Sequence, residues 1–259
     1  MTNLSFAEIR MNIGFLFTSI LLFAATEQQC HAQFTLTGQA GNFLVPEARV
    51  IGDKQIAFGS SFHPKPEALL LYTDRQGSHE IYNYLTLGFL PFMDITINLA
   101  SIIHAPIRSG IGDRSATVRF LLKKETNTFP AILLGTYAPL GTNEFVESNF
   151  LVATKNLAFA GKRLAVTGGF GTPWVIRTPL YEDFDSFTFF KKKTNYQVGL
   201  MMAARWELTE HLLVAAEYDG NKFNAGLMAR FFKEKCFAKV YTFNFKTVGF
   251  GVSYSGVVR

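Results

Sequence analysis

The sequence has 259 residues, with 25 Lys and Arg against 20 Asp and Glu, a net charge of +5 and two cysteines. Phenylalanine is abundant at 27 residues, while charged residues are sparse at 17%. Two cysteines exclude a disulfide scaffold, no phosphate loop or metal-ligand spacing appears, and few charges beside many aromatics suit a chain whose outside is not water.

The first element in chain order is a leader. Arg10 precedes "MNIGFLFTSILLFAATEQQCHAQ", whose apolar run of about 15 residues ends near Cys30-His31-Ala32, the layout of a secretory signal peptide. The run is shorter than the ~20 residues a membrane-spanning helix needs. Glu27-Gln28-Gln29 lacks the apolar and small residues expected before a lipidated Cys30. Cleavage after Ala32 would take 32 of the 259 residues and leave 227, a length that suits one β domain over 33–259. Arg10, Glu8 and Glu27 leave with the leader, so the remaining net charge is +6 and Cys236 is the one cysteine left. That part has no apolar run of 18 residues, so a helical membrane protein is not expected.

Beyond the leader the apolar positions repeat every two residues rather than every 3.6, which predicts strands and no helix. Strands are expected over 54–62, 79–89, 93–102, 113–123, 130–137, 147–156, 163–171, 196–206, 212–218, 223–231, 236–243 and 247–254. Several alternate cleanly. Ile95, Ile97 and Leu99 oppose Thr96 and Asn98; Ala116, Val118 and Phe120 oppose Ser115, Thr117 and Arg119; Val198, Leu200, Met202, Ala204 and Trp206 oppose Gly199, Met201, Ala203 and Arg205. The strands at 130–137 and 236–243 carry apolar residues on both faces.

The connections sort by parity. Those at 63–78, 103–112, 138–146 and 172–195 are long, and those between them are short or medium-short. Long and short connections alternate in bacterial outer-membrane barrels, whose periplasmic turns are short and external loops longer. A soluble sandwich has no reason to sort its loops this way. The even strand number, the alternation and the parity together favour an all-β fold, a transmembrane antiparallel β-barrel of about 12 strands. In "AAEYDGNKFNAGLMARF" (215–231), Ala216, Tyr218, Phe223, Ala225, Leu227, Ala229 and Phe231 then face lipid. Ala215, Glu217, Asn224, Gly226, Met228 and Arg230 face the lumen. Asp219-Gly220-Asn221 would supply the positive-φ residues of a tight connection. The last strand, "TVGFGVSY" (247–254), resembles the C-terminal signal by which barrel assembly machinery recognises its clients.

At "AEYDGNKFNAGLMARF" the sequence resembles the YjbH-like family, outer-membrane proteins associated with exopolysaccharide production and export. "GNFLVPEARV" (41–50) resembles the family's opening Gly…Pro-x-Ala segment, and "GDRSATVRFLLKKE" (112–125) its charged-to-apolar strand. "FPAILLGTYAPLGT" and "FLVATKNL" follow in the same order, so the resemblance covers most of 41–254. Larger members of the family are several times longer, and Val45 stands before Pro46 where a hydroxyl residue is expected. The resemblance implies a non-catalytic outer-membrane barrel whose partners are lipid, the assembly machinery and, in export, polysaccharide and export-system proteins.

Candidate site residues are Arg119, Arg205, Glu217, Asp219, Asn224 and Arg230, as lumen groups or partner contacts. They either set what enters the lumen or contacts a partner, or they form a structural network closing a narrow barrel, which side chains alone can fill. The positive balance suits an anionic polymer and equally suits loop charge at a membrane surface. An enzyme is not expected. His63, His79, His104 and His211 are scattered, and Ser78 beside His79 lacks a third group. Glu207 and Glu210 bracket a turn. No cofactor and no metal are called for, and nucleic acid does not fit a secreted barrel. "FFKKKTN" (189–195) reads as a solvated loop, or as a contact to headgroups or acidic saccharide. The other function class is a small general porin or transport channel.

Overall fold

The computed structural model describes residues 33–65, 79–103, 113–137, 148–172 and 197–257. The leader, Ser78, His104 and the 189–195 run lie outside them. Twelve strands form one closed antiparallel ring in which each strand pairs with its sequence neighbours and β1 closes on β12. They are β1 Gln55–His63, β2 His79–Leu90, β3 Met93–Ile103, β4 Asp113–Lys123, β5 Ala131–Tyr137, β6 Ser148–Phe159, β7 Lys162–Thr172, β8 Gly199–Glu207, β9 Leu212–Tyr218, β10 Phe223–Phe231, β11 Cys236–Phe243 and β12 Thr247–Val257. Every expected strand is present, with ends shifted by a few residues. Closure leaves no free edge.

Strand alternation separates two surfaces. On β3, Thr96 and Asn98 are buried inside while Ile97 is exposed outside, and on β10 Met228 is buried while Leu227 is exposed. The outer surface is strongly apolar: Leu122, Phe159, Leu200, Phe223, Val240 and Phe250 are all more than half exposed. Large aromatics gather towards its two ends. Phe89, Phe92, Phe129, Phe159 and Phe232 lie near the end bearing the short turns, and Phe170, Phe223 and Phe245 near the end bearing the long connections. The hairpin of β9 and β10 follows this rule, with the Tyr218 and Phe223 rings 4.8 Å apart. Its turn is built differently from the sequence expectation. Only Gly220 has positive φ there, at 97°, because the Asp219 carboxylate accepts the Asn221 and Lys222 amides at 2.9 and 2.8 Å and holds the bend itself.

Inward aromatics lie flat along the wall. Tyr84, Phe150 and Tyr241 stand directly across from Gly59, Gly135 and Gly249 in register. A Cβ on any of these glycines would come within 2.5 Å of the facing ring. Glycine opposite an aromatic thus keeps the ring against the wall and leaves the axis of the barrel clear.

Another segment occupies that axis. Residues 33–48 run inside the barrel and are buried throughout. Isolated bridges join Phe34 to Ala40 and Gly41 to Pro46, so the segment doubles back on itself. Its backbone bonds are internal, including Leu36 N to Phe43 O at 2.7 Å and Glu47 N to Ala40 O at 2.9 Å. The segment then leaves through Gly52–Lys54, where Lys54 has φ 59°, and enters β1. The lumen is therefore filled by the chain's own N-terminal plug, not by wall side chains alone.

Candidate functional site

The plug explains why β5 and β11 are apolar on both faces. Leu36, Phe43, Leu44, Val45 and Ala48 share one buried cluster with the wall residues Leu133, Phe150, Val152, Met201, Leu213 and Met228. Phe43 stacks on Tyr241 with ring centroids 5.3 Å apart. The inner face of β5, and that of β11 apart from Lys239, meets apolar plug side chains rather than water. Each such side chain contributes ~1.5–3 kcal/mol relative to leaving it exposed.

The remaining wall holds the plug through polar groups. Glu217, inward on β9, accepts three consecutive plug amides: Phe43 at 3.1 Å, Leu44 at 2.8 Å and Val45 at 3.1 Å. Asn224, directly across on β10, donates Nδ2 to Glu217 at 3.2 Å and to Asp219 at 3.0 Å. Arg205 on β8 pairs with Glu47 of the plug, and Arg49 approaches the same carboxylate at 3.6 Å. Arg119 on β4 and Asp94 on β3 form a cross-strand ion pair, both fully buried. Arg119 also donates to the Ala40 carbonyl at 3.2 Å, and Asp94 accepts the Ile51 amide at 3.0 Å. Lys239 donates to the Phe34 carbonyl. Thr86 donates to the Gly38 carbonyl at 2.6 Å, Thr154 accepts the Ala48 amide at 2.8 Å, and Gln197 donates to the Leu44 carbonyl at 2.9 Å. Doubled-back backbone exposes N–H and C=O groups that must be satisfied once buried, and these side chains meet that demand.

Arg119, Arg205 and Glu217 each hold the plug, and Asn224 holds Glu217. Asp219 joins them through Asn224, while its other oxygen holds the turn. Arg230 is set apart at the turn end of the barrel, where it pairs with Glu207 at 2.6 Å and Glu234 at 3.2 Å. Glu207 is thus an ion-pair partner. His79 accepts the Lys65 amide at 3.1 Å and stacks on Phe62. His63 is buried beside Ser61 at 3.1 Å, between Tyr82 and Phe243.

Sequence reading missed the plug itself, together with Glu47, Asp94, Lys239, Gln197 and Thr154. Signals for them exist. Asp94 falls opposite Arg119 once β3 and β4 are paired, and Lys239 is a lone charge on the inward face of "CFAKVYTF".

A closed barrel with a polar, charged lumen and an inserted N-terminal segment defines a plugged β-barrel protein. A family model described as "Exopolysaccharide biosynthesis protein YbjH" matches residues 35–255, and the chain belongs to this YjbH family. The match begins inside the plug, so plug and barrel are both part of the family unit. No curated protein sequence matches the chain.

Proposed function

We propose that this chain is an integral outer-membrane barrel with a non-catalytic part in exopolysaccharide biosynthesis or export. The family match over 35–255 carries the link to exopolysaccharide. The membrane reading is supported by the exposed apolar wall with aromatics towards both ends, which bulk water would leave at a high cost and lipid would cover. The non-catalytic reading is supported by the roles of the lumen charges, which are engaged in holding the plug.

A small general porin is the other reading, and the plug weighs against it. Porins keep an aqueous channel through the barrel, whereas this lumen is occupied along 33–48. A deletion strain tests the proposal. Loss of the chain is expected to lower cell-surface polysaccharide, and the protein itself is expected to stay with outer membranes after carbonate extraction. Unchanged polysaccharide together with altered permeability to small solutes would favour the porin.

A further inference from the structure

The plug has the construction of a removable part. Every backbone–backbone hydrogen bond described for residues 33–50 closes within the segment, and none joins it to the strands. The twelve pairings of the ring are complete without it. Its contacts with the wall come through wall side chains, and Gly52–Lys54 connect it to β1. It can therefore leave as a unit without breaking a strand pair.

The wall behind it is apolar in part and charged in part. Arg119, Arg205, Glu217 and Lys239 point at the plug, although a permanently dry interior is often as stable or more stable with apolar residues in place of buried ion pairs. The contact between plug and wall is also imperfectly matched. Gln33 Oε1 and Asn42 Nδ2 on the plug, and Gln197 Oε1 and Asn224 Oδ1 on the wall, are buried without hydrogen-bond partners. Such partly satisfied networks hold less tightly than their number of groups suggests, and water reaching them offsets part of the cost of opening.

From these features we infer that residues 33–50 are a displaceable gate, and that the wall it covers is the path of a single extended saccharide chain. This rests on the exopolysaccharide reading above and adds the route and its control. The plug is two backbone passes wide, a width of about 10 Å from neighbouring-strand spacing and side chains, so its departure opens room for one extended glycan but not for a folded domain. The exposed wall would offer the rings of Tyr84, Phe150 and Tyr241 and the aliphatic Leu133, Val152, Met201, Leu213 and Met228, with Thr, Asn and charged groups between them. Sugars present apolar ring faces edged by hydroxyls, and that wall matches both parts.

A reversible tether tests the gate in the full chain. Ala48 of the plug lies against Thr154 of β6, amide to hydroxyl at 2.8 Å. Ala48→Cys with Thr154→Cys, in a Cys236→Ser background, is expected to form a disulfide that locks the plug in place. The oxidised variant should be present in the outer membrane at the level of the same variant kept reduced, and secrete less polymer than it, with dithiothreitol bringing secretion back to the reduced variant's level. In planar bilayers in potassium chloride, current steps should occur with the reduced chain and vanish on oxidation. A verified crosslinked barrel that secretes as much polymer as the reduced one overturns the gate, even where deletion of the chain still abolishes the polymer. If deletion leaves the polymer unchanged, the exopolysaccharide reading fails instead and the saccharide path fails with it. The bilayer currents then judge the gate alone, and identical traces before and after oxidation overturn it.

Discussion

Glu217 gathers more of the plug than any other single side chain described. Its two oxygens face three amides and the Asn224 Nδ2, so all four nearby donors need a full carboxylate. Glu217→Gln keeps the shape but replaces one oxygen with a donor, leaving at least one plug amide against an NH2 group. A buried donor left unsatisfied costs ~1–3 kcal/mol. The expected result is faster hydrogen exchange at Phe43, Leu44 and Val45, with the barrel still folding. Unchanged exchange at these amides would remove Glu217 from its anchoring role. At this scale the sequence was half legible. Inward charge at Arg119, Arg205 and Glu217 follows from strand alternation, because period two assigns each residue a face. What Glu217 holds does not follow, since its plug partners are backbone amides and backbone groups have no sequence signature, while Glu47, the partner of Arg205, lies on a segment that strand alternation does not place. The Glu217 partners described are three plug amides and Asn224.

Among the elements, strands were the most legible part and the plug the least. The strands that alternate cleanly, such as β3 and β4, separate an apolar outside from polar lumen groups. β5 and β11 blur because their inner faces pack on Phe43, Leu44 and Val45, so a second apolar surface hides the period. The plug has no sustained period, because a turn at 36–37 and bends at 38–39 and 42–45 keep it from being either helix or strand. The glycines facing aromatic rings connect the two kinds of element. An added Cβ at Gly135 would sit 2.2 Å from the Phe150 ring, and that ring touches the cluster containing the plug. Gly135→Ala is therefore expected to tip Phe150 toward the axis and crowd the plug, costing ~1–3 kcal/mol as overpacking does. Protease sensitivity within 33–50 should rise while the strands stay protected. Equal protection throughout would mean that the ring has room to turn elsewhere.

For the whole molecule, the ring is a single layer of strands with an apolar surface on each side of much of its wall. One side packs on the plug, and the proposal places the other in lipid. Leu227 and Met228 are adjacent on β10 and sample the two sides: Leu227 is 48% exposed and Met228 only 2%. Sequence alternation assigns Leu227 to lipid and Met228 to the lumen. The faces are as expected, but Met228 lies in the buried cluster with Phe43 and Leu44, so an arginine there meets the plug before it meets water. The two substitutions should therefore fail in different ways. Leu227→Arg near the midplane of a bilayer is expected to cost ~2–4 kcal/mol in assembly. On unheated gels, the fast-running folded band should weaken, while molecules that do fold keep their plug amides protected. Met228→Arg is expected to leave that band in place and release the plug, seen as rapid exchange across 35–48. Normal folding of Leu227→Arg into bilayers would remove the outer wall from lipid and, with it, the case for a membrane barrel.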